Sequence, residues 1–174
     1  MASMSFSIHR PFGAALLCVA ATCAALPGPA RAEPTAEILG DGYWRLAVSP
    51  FSVHFHYDAA HRNVWAIGVE RQRNDDWLAG ASYFSNSFGQ ASGYLYVGKR
   101  FPALFGQAPW FAQVSGGLLY GYVGQYQNKV PFNSNGFSPG ILISTGWQFN
   151  KEFSATVHLL GNAGAMLQLG WDFR

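Results

Sequence analysis

Cysteine occurs only as Cys18 and Cys23, both within the first 32 residues. From Glu33 onward the chain has no thiol for a disulfide, a nucleophile or a metal thiolate. Charge is also scarce. Asp, Glu, Lys and Arg make up 11% of the chain, against about 25% in an ordinary soluble domain. With Arg10 and Arg31 set aside alongside the leading segment, 9 basic residues face 9 acidic ones, and a formal charge near zero gives no electrostatic footprint for nucleic acid. After the leading segment no apolar run reaches the roughly 18 residues of a membrane-crossing helix, which excludes that mode of crossing but not strands.

The leading segment has the layout of a secretory signal. His9 and Arg10 precede an apolar run over 12–26, and Ala30-Arg31-Ala32 offers a small-x-small cleavage site. The expected division is therefore a cleaved signal over 1–32 and one domain over 33–174.

Aromatic residues are plentiful, at 16%, and they fall on a two-residue period. Ala165, Leu167, Leu169, Trp171 and Phe173 alternate with Met166, Gln168, Gly170 and Asp172. Similar segments of about ten residues predict strands over 45–57, 63–72, 77–84, 92–101, 110–123, 138–149, 153–160 and 165–173. Eight greasy faces cannot all be hidden in a domain this small, so they must face lipid. Only a closed antiparallel barrel satisfies its backbone groups there. The expected fold is all-β, an eight-stranded antiparallel transmembrane β-barrel. Its place is the outer membrane, which it crosses many times, and it acts as a monomer.

The opposite parity divides into two halves. Near the end expected to face the periplasm it carries Glu70, Gln72, Arg100, Gln113, Ser144, His158, Gln168 and Asp172, a polar plug. Near the outer end it carries small and apolar residues. Gly117, Leu119, Gly121, Gly140, Leu142, Leu160 and Met166 there suggest a dry slot for an acyl chain. The same residues could instead fill a tapering core.

His54 and His56 share the inward parity near the outer rim of the first strand, His61 lies in the first outer loop, and His158 lies deeper. An imidazole with a pKa near 6.5 can accept a proton from a hydroxyl at neutral pH. The loop Phe84-Ser85-Asn86-Ser87-Phe88-Gly89-Gln90 reads as a plain Ser/Asn/Gly turn or as a site for Ser87 and Asn86. Pro50 and Pro139 each remove a ladder donor from a strand, or else mark strand ends.

These residues resemble those of the lipid A palmitoyltransferases known as PagP. That family has an aromatic first strand ending in Tyr-Asp, similar to Phe55-His56-Tyr57-Asp58, and a strand whose outer end reads Phe-x-Asp-Ser-Trp, similar to Phe84-Ser85-Asn86-Ser87-Phe88. A Tyr/Gly-rich strand follows, similar to Tyr94-Leu95-Tyr96-Val97-Gly98. The likeness covers the first four strands and describes a divergent branch. It implies transfer of a palmitoyl chain from a phospholipid to lipid A of lipopolysaccharide, with no cofactor and no metal, and with lipid admitted through proline-weakened seams. Carried over by position, Ser87 matches the family's serine and Asn86 stands where its aspartate would be. His54, with His56 as the alternative, substitutes for its histidine, because Ser52 occupies that register. An amide cannot stabilise an imidazolium as a carboxylate does, so the charge partner would lie elsewhere, Asp58 being near, or activity would be reduced or lost. A lipid A deacylase is disfavoured because His158 is followed by Leu159-Leu160 and not by a serine two residues on. The non-enzymatic alternative is a structural, adhesive or solute-binding barrel.

Overall fold

A computed structural model describes residues 40–174; the expected signal over 1–32, and the seven positions that follow it, lie outside the described residues. The strands are β1 (Gly42–His54), β2 (Ala66–Arg73), β3 (Trp77–Ser85), β4 (Ala91–Pro102), β5 (Trp110–Tyr120), β6 (Phe137–Gln148), β7 (Phe153–Leu159) and β8 (Gly164–Phe173). Each pairs antiparallel with its neighbour, and β8 pairs back onto β1 to close the barrel. The fold expectation holds. Four strand ends differ from it by three residues: β1 begins at Gly42 and stops at His54, β2 begins only at Ala66, and β5 stops at Tyr120.

Alternation explains the ring. Val48, Phe51, Ile67, Val69, Leu95, Val97, Ile141, Ile143, Leu159 and Leu169 are exposed on the outside although each is strongly apolar. A water-soluble protein does not carry such a continuous band, and hydrocarbon does not penalise it. Aromatic rings border the band at both ends. Trp110 meets Trp147 across β5 and β6 at 4.9 Å, and Trp171 lies tilted against Phe173 at 4.4 Å, near the end that carries the carboxy terminus. Trp65 with Tyr83, and Tyr120 with Phe137, sit at the other end. The spacing matches two interfacial girdles.

Inside, the half near the carboxy terminus is a locked polar lattice. Arg45 donates to both oxygens of Asp172 at 2.6 and 3.0 Å and to Glu70 at 3.3 Å. The other Glu70 oxygen accepts from Tyr96 Oη and Gln113 Nε2, both at 3.3 Å. Arg100 donates to Gln148 at 2.8 Å, and Ser144 bonds His158 Nδ1 at 2.7 Å. Above this lattice Tyr94 and Tyr96 stack at 4.9 Å. They lie over glycines that leave them room: a Cβ at Gly80 would come within 2.5 Å of Tyr96 Cζ, and one at Gly140 within 2.8 Å of Tyr94 Cε2. Tyr94 Oη also donates to the Gly140 carbonyl at 3.1 Å.

Candidate functional site at the outer mouth

His54 is the last residue of β1, held beside Gly164 of β8. Three outer loops converge on it. In the β3–β4 loop, Asn86 Oδ1 accepts from the backbone N–H groups of Phe88 and Gln90 at 2.9 and 3.0 Å, and Nδ2 donates to Gln90 Oε1 at 3.2 Å. An Asx side chain that captures amides two and four residues on fixes a compact turn. The turn presents Ser87, whose carbonyl accepts from the Arg62 N–H at 2.8 Å, tying the β1–β2 loop in. Gln90 binds both backbone groups of Val123 at 3.1 and 3.2 Å, tying in the β5–β6 loop.

The result is a serine–histidine pair, with Ser87 Oγ 2.9 Å from His54 Nε2. That separation suits donation from the hydroxyl to an unprotonated ring nitrogen, the geometry by which imidazole activates a hydroxyl. Tyr122 also hydrogen-bonds Ser87, and burial pushes its phenol pKa up. His61 stacks on His54 with centroids 4.2 Å apart and turns an edge to Phe88, which itself stacks on Tyr126 at 4.2 Å. Asp58 lies 4.0 Å from His61 and 3.7 Å from Lys129. Its carboxyl is held below the usual carboxylate range, first by the Ala60 N–H on Oδ1 and then by the neighbouring His61 and Lys129 charges.

Of the four sequence candidates, the structure joins His54 and Ser87 and separates the other two from them. Asn86 is fully buried with its amide spent inside the turn, so it acts as a brace and does not stand in for a carboxylate against the imidazole. His56 lies past the end of β1, where the inward parity no longer applies, and is exposed. His61 was legible only as a loop histidine. Tyr122 falls within the strand expected over 110–123, but Gly121 (φ 138) and Tyr122 itself (φ 56) break the alternation there and leave its ring half-buried against Phe88.

The acyl slot needs a larger correction. The cavity bordered by Ala47, Tyr94, Tyr96, Ser115, Leu142 and Met166 measures about 30 Å³, room for a water or so, whereas ligand sites run to several hundred Å³. Gly140 and Gly117 do not line free space. The first faces the Tyr94 ring, and a Cβ on the second would run into the backbone of Leu95 and Tyr96. Gly121 lies past the end of β5, against Ser92. Leu119 and Leu160 are half-buried toward the outer end, and Leu142 and Met166, also half-buried, border this same small cavity. The tyrosines have taken the space that the small residues leave.

The wall beside this mouth is incomplete. A bulge between Val48 and Phe51 in the β1–β8 ladder marks Pro50, and the β1–β2 ladder ends at Ser49↔Ala66. Residues 51–54 therefore pair with β8 alone, and across the seam Asn63 Nδ2 donates to the Pro50 carbonyl at 3.2 Å. Opposite, the β6–β7 ladder begins at Ile143↔Leu159, so residues 137–142, Pro139 among them, pair with β5 alone. Both prolines sit where pairing has lapsed on one side.

No protein-family model matches the chain, and no curated protein matches it. Among solved structures it is similar to the outer membrane protein Ail of Yersinia pestis, determined in a phospholipid bilayer nanodisc. The identity is 14% and the TM-score 0.39, over 76% of this chain and 100% of that one.

Proposed function

We propose that this chain is an outer-membrane acyltransferase that moves a palmitoyl chain from a phospholipid to a hydroxyl of lipid A. The observation that carries the reading is the 2.9 Å pairing of Ser87 Oγ with His54 Nε2 at the outer mouth. The two lapsed ladders beside it support the reading, since a lipid tail could pass there without rupture of strand pairing. The acceptor hydroxyl replaces Ser87 at His54 Nε2, and His54 takes its proton as its oxygen attacks the ester carbonyl. The Ser87 and Tyr122 hydroxyls donate to the developing oxyanion. Collapse breaks the bond to the glycerol oxygen, and His54 returns the proton to that leaving group. The donor tail lies against Leu119 and Leu160 beside the lapsed β6–β7 ladder, and the headgroup stays at the loops.

The test is mass spectrometry of lipid A from cells expressing the wild-type chain, His54→Ala or Ser87→Ala. One added sixteen-carbon acyl group is expected with the wild type and not with either variant. A second reading, a non-enzymatic barrel, is favoured by the tyrosine-filled bore and its cavity of about 30 Å³. Lipid A unchanged by all three chains would give that reading the protein.

A further inference from the structure

The opposite end of the bore carries a second candidate site, which nothing in the transferase reading uses. A vestibule of about 270 Å³ opens there, bordered by Tyr43, Gln72, Arg73, Asp76, Arg100 and Phe111 among others. Its size, just below the usual range of ligand pockets, suits a lipid headgroup or a small metabolite and not a lipid tail.

The charges around it are unequally served. Arg45 holds both interior carboxylates, Asp172 through two hydrogen bonds and Glu70 through one. Arg100, equally interior at 7% exposure, is bonded through Nη2 to the neutral Gln148 amide and lies over the Phe111 ring at 3.5 Å. Its Nη1 is buried with no hydrogen-bond partner. A buried guanidinium donor without an acceptor is costly, and the cost is recovered when an anionic oxygen arrives. The same vestibule holds an orphan of opposite polarity, since Gln72 Oε1 is buried with no donor while Gln72 Nε2 is engaged with the carbonyls of Arg73 and Trp77. Asp76 borders the same space. A plain anion would satisfy Arg100 but meet Asp76 and leave Gln72 Oε1 unserved.

We propose that this vestibule binds a small zwitterion, with a phosphate or carboxylate on Arg100 Nη1 and an ammonium against Gln72 Oε1 and Asp76. Phosphoethanolamine has this chemistry, either free or as the head of a phospholipid in the leaflet bordering the turns at this end.

The experiment is a side-chain NMR titration of the folded barrel, with labelled arginine, in uncharged maltoside micelles. Phosphoethanolamine is expected to shift the Arg100 guanidinium resonance saturably. Glycerol 3-phosphate and ethanolamine, each offering half of the recognition, should bind at least about ten-fold more weakly, the scale of one charge-assisted hydrogen bond. Arg100→Met should abolish the saturable shift of neighbouring resonances. Asp76→Asn, at a half-exposed turn where folding is not at stake, should remove the preference for phosphoethanolamine over glycerol 3-phosphate. Micelles doped with phosphatidylethanolamine assign the source: a matching shift without free ligand points to the lipid head, and its absence beside free-ligand binding points to a soluble zwitterion. Resonances unmoved by every probe, or a preference that survives Asp76→Asn, would overturn the proposal and leave the vestibule to water.

Discussion

The two halves of the bore solve different problems with the same strands. In the half near the carboxy terminus every neighbouring pair of strands is laddered, and Arg45, Glu70 and Asp172 lock the interior with charge. In the outer half two ladders lapse, the interior holds aromatic and aliphatic side chains, and His54, His61 and Asp58 gather where the loops converge. One half is built to stay shut. The other has its polar chemistry at the rim and its weak seams next to it. The difference teaches that the locked core and the proposed reactive site are segregated along the barrel axis, so substitutions in one half should leave the property of the other untouched.

The sharpest way to break that comparison is Arg45→Ala. It strands Asp172 and Glu70 as buried, unpaired carboxylates, which costs about 3–5 kcal/mol. Urea unfolding of the refolded barrel should show a loss on this scale, and activity of the protein that remains folded should be normal. His54→Ala or Ser87→Ala should do the opposite. The proposed acyl transfer, assayed in micelles, should fall by about 10²–10⁴-fold, the worth of a positioned general base, while unfolding moves by less than about 0.5 kcal/mol, as at partly exposed positions. Asn86→Ala tests the boundary between the two behaviours. It leaves the Phe88 and Gln90 amides without their acceptor, so the turn should open at a cost of about 1–3 kcal/mol. Transfer should then fall because Ser87 is misplaced, and Asn86→Asp, which keeps the acceptor oxygen, should recover it. The smallest expected effect concerns pH. The depressed Asp58 carboxyl contributes to the loop assembly at pH values above its unfolded pKa, and that contribution is lost as pH falls through the folded value. Protection factors for amide exchange in the first and third outer loops, taken relative to the intrinsic rate at each pH, should fall on acidification, and Asp58→Asn should remove that dependence.

Much of this was legible in the sequence. The two-residue period gave the strands, and the parity of Glu70, Arg100 and Asp172 gave the locked half, because charge buried in a narrow bore has to pair. The outer half was misread where pattern stops being enough. Counting small residues at Gly117 and Gly140 predicts space, but space is a difference between neighbours, and here the Tyr94 ring fills what Gly140 leaves while the backbone of Leu95 and Tyr96 closes what Gly117 leaves. Parity also fails where the backbone leaves the strand, which is why Tyr122 turned inward and His56 outward. The pairing of Ser87 with His54 spans 33 positions and depends on how Asn86 folds its turn. No local spacing encodes that.

The lapse of pairing on one side of Pro50 and of Pro139 gives the cylinder two elastic regimes. Its base behaves as a hoop, in which widening anywhere breaks hydrogen bonds everywhere, whereas its lip behaves as a pair of facing shells that can spread while each keeps its own bonds. Lateral pressure from the surrounding bilayer would be felt at the lip first, so the thickness and tension of the membrane become inputs to how readily the mouth gapes.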